Sequence, residues 1–299
     1  MTHPYSTIEY GGSLRHIGEP VFIPEWGTTV LRRKCGMGYH DAIGTYPITV
    51  FKPDCDLAGG LDRLARLGLV SVVVVVENAL RPEFAELERN FDYIRAFKTH
   101  YLYDRAVLPI RHSRNHRDKV RRAARVVHVE QFDLAARLDE WNSLYECLVA
   151  RLNLVNTMHA FPRSHHEALA RLPGTVAIGA FADGRLVSCH VWVCHGDHAM
   201  SHLVASNEDG YAYRASYAVN AASIDLLANC RTLNFGGGAG TGNEAATGLD
   251  RFKRGFANTT APSLLCGKVL DTDAYSKLSR QAGVRDDAVY FPAYRQPSG

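Results

Sequence analysis

Nothing in this 299-residue sequence supplies a covalent or metallic staple. Its seven cysteines, Cys35, Cys55, Cys147, Cys189, Cys194, Cys230 and Cys266, are scattered and odd in number, and none forms a C-x-x-C pair. That pattern points to reduced thiols and away from a disulfide or zinc framework. Long apolar runs are missing too. The longest uncharged one, Leu67 to Val76, falls well short of the ~20 residues a helix needs to cross a bilayer. Met1 to Tyr10 is polar and contains Pro4, unlike a secretory leader. The expectation is a soluble, cytoplasmic protein with no membrane partner. Charge of one sign is scarce overall: 34 Lys and Arg against 31 Asp and Glu leave a net +3, which excludes a general polycation. What remains, 46% apolar and 22% charged residues, is the composition of a globular chain with room for about two domains. A core of that size needs no cross-link.

The charge that is present is unevenly placed. From Arg111 to Arg125 there are seven Arg or Lys, two His and one acid, Asp118. Ser113 is a good N-cap for a helix running to about Arg125. On it Arg114, Arg117, Arg121 and Arg125 recur at spacings of three and four, a charged stripe that Lys119 and Arg122 broaden. Upstream, Leu57, Leu61, Leu64 and Leu67 mark a short amphipathic helix ended by Gly68. The unalternating run Leu69 to Val76 then reads as a strand buried on both faces. Downstream, Val126 to Val129 is a candidate strand, and Phe132 to Leu152 and Pro162 to Leu172 are helical. The period then changes to two. Val176 to Phe181, Leu186 to Cys194 and His198 to Ala205 are strands joined by Asp183-Gly184 and Gly196-Asp197, both strong hairpin signals. A long helix from Arg214 to Asn229, a strand at Thr232 to Phe235, a helix at Leu249 to Ala257 and a strand at Ser263 to Leu270 complete the order.

That order, a three-strand meander followed by a βαβ crossover, is the order of the GNAT acyltransferase fold. The helix–strand pair 57–76 reads as an eroded copy of the pair 214–235. The fold expected is therefore α/β (α+β): two tandem GNAT-like domains, each a mixed central sheet flanked by helices. Residues 1–125 would form an acceptor domain and 126–299 a donor domain, with the tail free to pack back on the first.

Leu233-Asn234-Phe235-Gly236-Gly237, followed by Gly248-Leu249-Asp250-Arg251-Phe252-Lys253-Arg254-Gly255-Phe256, resembles the FemABX family. These are tandem-GNAT transferases that build peptide bonds from aminoacyl-tRNA. The closing Phe-Lys-basic-Gly-Phe motif stands intact at 252–256. The Arg-rich helix from Ser113, Tyr39-His40-Asp41-Ala42-Ile43, Ser201 to Asn207 and Ala215-Ser216-Tyr217 also fit. No long charged heptad segment is available for the coiled-coil arm of the cell-wall Fem ligases. The chain looks more similar to compact natural-product members such as the pacidamycin-type alanyl transferase.

The resemblance implies a catalytic Lys253, whose cation would stabilise the tetrahedral oxyanion. It implies tRNA contacts at Phe252, by stacking on the terminal adenine, and at Arg251 and Arg254. It places Ser216 and Tyr217 near the substrate. Spacing alone leaves Lys253 open as an exposed lysine on a basic helix, and Phe252 as a core partner of Phe256. The stripe of Arg114, Arg117, Lys119, Arg121, Arg122 and Arg125 could neutralise the phosphates of an RNA or could be a solvated face. Tyr39, Asp41 and Tyr46 are candidate acceptor contacts, with Asp41 as the carboxylate for an amine. Cys189, His190, Cys194, His195, His198 and His202 alternate across strand faces, so no metal site is expected. Asn207 to Tyr213, where a CoA-binding GNAT cradles pyrophosphate, carries two acids and one Gly, which speaks against CoA. Gly236 to Gly240 reads as a loop.

The function expected is transfer of an amino acid from aminoacyl-tRNA, as co-substrate and with no cofactor, to a small amine or peptide. The expected partners do not include DNA. The alternatives are a CoA-dependent N-acyltransferase or a non-catalytic RNA-binding module.

Overall fold

The computed structural model describes residues 2–107, 113–238, 248–284 and 290–296. Arg111 and His112 of the basic segment, and Ala239 and Gly240 of the glycine loop, lie outside the described residues. In chain order the elements are α1 (Ile8–Ser13), β1 (Glu19–Ile23), β2 (Thr28–Gly36), β3 (Tyr39–Gly44), α2 (Leu57–Arg66), β4 (Leu69–Glu77), α3 (Phe84–Asn90) and β5 (Tyr93–Asp104). They continue with α4 (Arg114–Ala123), β6 (His128–Phe132), α5 (Leu138–Arg151), α6 (Arg163–Arg171), β7 (Thr175–Ala182), β8 (Arg185–His195) and β9 (His198–Ser206). The last are α7 (Glu208–Ala212), α8 (Ala215–Leu226), β10 (Thr232–Gly237), α9 (Gly248–Arg254), β11 (Thr259–Val269) and α10 (Thr272–Gln281).

Two compact units result: Met1–Phe97 with Pro262–Gly299, and Lys98–Ala261. The division expected at 125/126 differs from this one. The basic helix α4 falls in the second unit, and the tail clusters with the first.

In the first unit the strand order is β1-β2-β3-β4-β11, antiparallel except for β3 with β4. Asp56 caps α2, its Oδ1 accepting from the Gly59 amide at 2.8 Å. Leu57, Leu61 and Leu64 turn inward onto Val72, Val74, Val76 and Trp26. Val70 and Val73 of β4 are buried with the opposite face, as a strand without alternation requires.

Tyr39 and Tyr46, two of the candidate acceptor residues of this unit, are half-buried. Tyr39 packs against the cluster of Val70, Ala274 and Leu278. The Tyr46 carbonyl accepts from the Tyr10 hydroxyl, and burial pushes the Tyr46 phenol up to about 12. Asp41, expected to receive an amine, is fully buried. Its two oxygens accept from the Arg33 and Arg295 guanidiniums and from the Tyr294 hydroxyl, at distances up to 3.3 Å. Two guanidiniums face the carboxylate, and through Arg295 it ties β2 and β3 to the tail. Asp41→Asn would leave those guanidiniums without their counter-charge. A loss of about 3 kcal/mol is expected in urea unfolding; a loss below about 1 kcal/mol would mean the network is decorative.

In the second unit the order is β5-β10-β9-β8-β7-β6, antiparallel except for β9 with β10. The β7–β8 hairpin turns on Asp183 and Gly184, both at positive φ (49° and 74°), the geometry that matches strand twist. The parallel pairing of β9 with β10 is short: Thr232, Leu233 and Asn234 face His198, Ala199 and Met200. Trp192, Ile178, Leu233, Phe235 and Phe256 pack with Ala215 and Val219 of α8 into one core. The helix expected from Phe132 starts only at Leu138. β6 holds Phe132 in the sheet, and Asp133 closes a turn by accepting from the Ala135 amide at 2.9 Å.

Candidate active site

Strand β10 pairs with β5 out of step. Asn234 lies opposite Leu102, whereas Gly237, three residues on, lies opposite His100, only two back. The extra residue makes a β-bulge, and Gly236 supplies the positive φ (+75°) within it. Asn234, fully buried, fixes this shape. Its Oδ1 accepts from the Gly236 amide at 2.8 Å, and its Nδ2 donates to His100 Nδ1 at 3.0 Å. The bulge presents the Gly237 carbonyl to α9, where Lys253 Nζ donates to it at 2.6 Å. Gly236 and Gly237, expected to be loop, therefore end a strand, and with Gly238 they are small because side chains crowd them. A Cβ on Gly237 would lie 2.8 Å from the Lys98 stem, and one on Gly238 would lie 2.1 Å from Asp250 Oδ1. Lys98 Nζ donates to the Gly238 carbonyl at 3.4 Å, and the Tyr101 hydroxyl donates to Asp250 Oδ1 at 3.0 Å. Two ammonium groups and a carboxylate thus meet at one glycine turn.

Burial pulls the Lys253 ammonium down to about 8, the charge of Lys98 pulls the same way, and Asp250 opposes both. Burial also lowers Lys98. His100 is driven down to about 4 by burial and then by Lys253 and Lys98, so it is neutral near pH 7 and its Nδ1 is free to accept from Asn234. His190, at the heart of β8, is lowered to about 3 by burial, with Lys253 adding to the effect. Its ring nitrogens bond Asn220 Oδ1 at 2.9 Å and Ser201 Oγ at 2.8 Å. Among the described residues, Lys98 and Asp250 are the charged groups that act on Lys253.

Rings from three helices hold α9 in place. Tyr217 of α8 meets Phe252 edge-on at 4.8 Å between centroids, and His116 of α4 at 5.1 Å. His116 in turn sits 4.9 Å from Phe256, and a Cβ on Gly255 would come within 2.0 Å of His116 Nε2. Gly255 of the motif is thus the gap into which the α4 histidine fits. Beyond the helix, Asn258 clasps β5, bonding both the amide and the carbonyl of Asp104 at 2.9 Å. Phe252 packs 5.3 Å from Phe256 and rests against the core.

The expected basic residues divide. Arg114, Arg117, Arg121, Arg122 and Arg125 are exposed along and just beyond α4, and Arg251 and Arg254 are exposed on α9. Lys119 is engaged: its Nζ donates to the Tyr217 hydroxyl at 3.2 Å and lies over the ring. Asp118 takes one contact from Arg121 at 3.3 Å. Ser113 caps α4 as expected, accepting from the His116 amide at 3.2 Å. Ser216, in the first turn of α8, and Tyr217 are both partly buried.

Within the second unit the structure thus gathers Lys253, Phe252, Tyr217, Lys119 and the α4 stripe. Tyr39, Asp41 and Tyr46 belong to the first unit. The sequence reading missed Lys98, His100, Tyr101, Asn234, His190 and Asn220. The first three lie on β5, whose run of Tyr, Ile, Phe, Thr and Leu from Tyr93 to Tyr103 is the strand signal that could have found them. The histidines and cysteines of 189–202 do not converge: His202 faces His165 at 3.3 Å, away from the partners of His190. Among the described residues no group of three or more His, Cys, Asp or Glu could hold a metal ion. The Asn207–Tyr213 stretch forms α7, and its Gly210 amide is taken by Asn207 Oδ1 at 2.9 Å. No helix among the described residues is long and apolar enough to cross a membrane.

Residues 111–254 match a family model described as an acetyltransferase (GNAT) domain. No curated protein matches the chain. Among solved structures, the C-terminal domain (DUF2156) of a putative lysylphosphatidylglycerol synthetase from Agrobacterium fabrum is similar over 93% of this chain and 91% of its own, at 14% identity and a TM-score of 0.63. FemX is similar over 92% and 95%, at 12% identity and 0.62. L-PGS from Bacillus licheniformis is similar over 90% and 94%, at 13% identity and 0.59. Likeness at such identity speaks for the fold, and the fold it defines, mixed sheet flanked by helices, is the tandem GNAT architecture.

A lysine lowered to about 8 carries a stability cost with a definite pH window. Below pH 8 the ammonium is charged in both folded and unfolded chains, and its burial opposes folding in full. Between 8 and the ordinary 10.5 the folded protein sheds the proton and the cost fades. Lys253→Met should therefore stabilise the protein by about 1 kcal/mol at pH 7, net of the lost hydrogen bond, and by less at pH 10. Urea unfolding at the two pH values measures this, and a destabilised variant at pH 7 would refute it.

Proposed function

We propose that this protein is an aminoacyltransferase that moves an amino acid from aminoacyl-tRNA to the amine of a small molecule or peptide. The observation that carries the reading is the Lys253 ammonium, held at the Gly237 carbonyl beside an aromatic cluster and flanked by exposed arginines of α4 and α9. The FemABX resemblance of 252–256 supports the aminoacyl-tRNA donor, and the fold likeness to FemX agrees with it. The longest helix among the described residues, α5, has 14 residues, which favours a compact acceptor over one that a coiled-coil arm would serve. Peptidyl natural-product assembly is the setting we propose.

The acceptor amine attacks the ester carbonyl carbon, a C–N bond forms, and the carbonyl oxygen becomes an oxyanion. Lys253, roughly nine-tenths protonated at pH 7 if it titrates near 8, lies where it can neutralise that oxygen. Collapse breaks the C–O bond to the ribose, whose oxygen takes up the proton released by the amine. The arginines of α4 and α9 would hold the RNA by its phosphates. Of the alternatives, CoA dependence is disfavoured because the Gly210 amide is already bonded and Glu208 and Asp209 are exposed where a pyrophosphate would approach. A purely RNA-binding role leaves the desolvated lysine without a use.

Incubation with charged tRNA and a pool of amines, read by mass spectrometry, tests the reading. Amide formation should vanish after RNase treatment and should fall by a hundredfold or more in Lys253→Met with tRNA binding retained. Because a charged Lys253 is required, kcat/KM should decline as pH rises through about 8. Activity that survives RNase and needs an acyl-CoA would replace this reading with the CoA-dependent one.

A further inference from the structure

The transfer reaction draws on the side of the second unit that carries α8 and α9, and the other side of the sheet holds a cavity it does not use. His202 of β9 faces His165 of α6 at 3.3 Å, whereas its neighbour Ser201 bonds His190, which bonds Asn220 of α8. Successive strand residues point to opposite sides, so α6 and α8 cover opposite faces of the sheet. Asn142 of α5 donates through Nδ2 to the Leu138 carbonyl at 2.7 Å, so its Oδ1 is the acceptor for His166 Nδ1 at 2.6 Å. That bond joins α5 to α6 on the far face. Between these helices and the 152–162 connection lies a cavity of about 360 Å³, a volume typical of small-molecule sites. Val149, Val155, Ala160, Phe161 and Pro162 give it an apolar lining. Val155 is 58% exposed, so part of that apolar surface stands in water. The wall is tied down. Tyr145 donates to the His159 carbonyl at 2.7 Å, and Thr157 Oγ1 donates to the Leu154 carbonyl at 2.7 Å and accepts from the His159 amide at 3.2 Å. Asn153 and Asn156 take up the positive φ values of the connection, 52° and 64°. A hollow already shaped in this way costs little to fill.

The charged groups of the lining select one sign. Arg163 is held by Asp139 at 2.6 Å and by Glu167 at 3.2 Å. Arg151 of α5 is drawn elsewhere, over the Tyr211 ring at 3.6 Å from its centroid. Glu146, exposed on α5 and part of the lining, makes no ion pair among the described residues. One carboxylate beside an apolar hollow is thus left for a cation from outside. We propose that the α5–α6 cavity binds a small apolar primary ammonium compound, with its head on Glu146 and its hydrocarbon against Val149, Val155 and Phe161. An acid of the same shape would meet Glu146 with like charge, and an alcohol would forgo the ion pair. The proposal goes beyond the transfer reaction and does not rest on it, because the cavity lies across the sheet from α8, whose Tyr217 packs on the helix that carries Lys253.

The test titrates the full chain with isopentylamine, and with isopentanol and isocaproate as its neutral and anionic counterparts. NMR of methyl-labelled valine follows Val149 and Val155, each assigned by its loss in the alanine variant, with Val219 of α8 as the reference on the other face. In the intact protein isopentylamine should shift Val149 and Val155 saturably in the millimolar range and leave Val219 in place. Isopentanol should bind about fivefold more weakly, the worth of one ion pair at a partly solvated position, and isocaproate should not bind. Glu146→Gln should bring the amine down to the level of the alcohol and leave the alcohol unchanged. Val155→Ser should weaken amine and alcohol alike. Both substitutions fall at exposed positions, and circular dichroism checks that the variants fold. Equal binding of amine and alcohol by the intact protein, or an amine preference that survives Glu146→Gln, would overturn the assignment to an ammonium compound. The absence of a saturable shift at Val149 and Val155, or an equal shift at Val219, would overturn the site itself.

Discussion

A lysine ammonium drawn partly out of water and onto the carbonyl of a bulged strand is the constraint around which the second unit is organised. An amine in that position loses hydration, and it is tolerated only where the backbone and its neighbours are arranged to receive it. Asn234 holds the bulge open, the glycines at 236–238 leave space for three charged side chains, and His100 and His190 stay neutral beside them. The ring cluster of His116, Tyr217, Phe252 and Phe256 fixes the helix that carries the lysine. Burial at this turn, with the charges of Lys98 and Asp250, sets how firmly one proton is held.

The same arrangement explains why the Phe-Lys-Arg-Gly-Phe run is more than a basic helix end. Its two phenylalanines face the core, its glycine admits a histidine from α4, its arginine faces solvent, and its lysine alone turns toward β10. One short helix thus joins the interior, the charged surface and the candidate reaction centre. The position of α4 depends on this helix through His116, so the arginine stripe and the lysine are parts of one packed structure.

Much of this was legible in the sequence where local rules decide the outcome. The Asp183-Gly184 hairpin, the Ser113 cap, the leucine spacing of α2 and the unalternating valines of β4 each depend on residues close in the chain. The strand order that follows from them led to the tandem GNAT fold. What stayed hidden depends on pairing at a distance. β5 mixes aromatic residues with Arg, Lys and His, because its residues serve both a sheet and a polar site, and so it shows no clean alternation. The bulge at Gly236 exists only in the register between β10 and β5. Asp41 looked like a ligand-binding carboxylate because Arg295, which neutralises it, lies 254 residues away.

The central claim concerns one proton, and it can be measured without a substrate. NMR titration of the protein carrying 13C-labelled lysine, with the Lys253 signal assigned by its loss in Lys253→Met, reads that proton directly. The account expects a midpoint near pH 8, set by burial and by Lys98. A midpoint at the ordinary lysine value of 10.5 would place the ammonium in open water and contradict it.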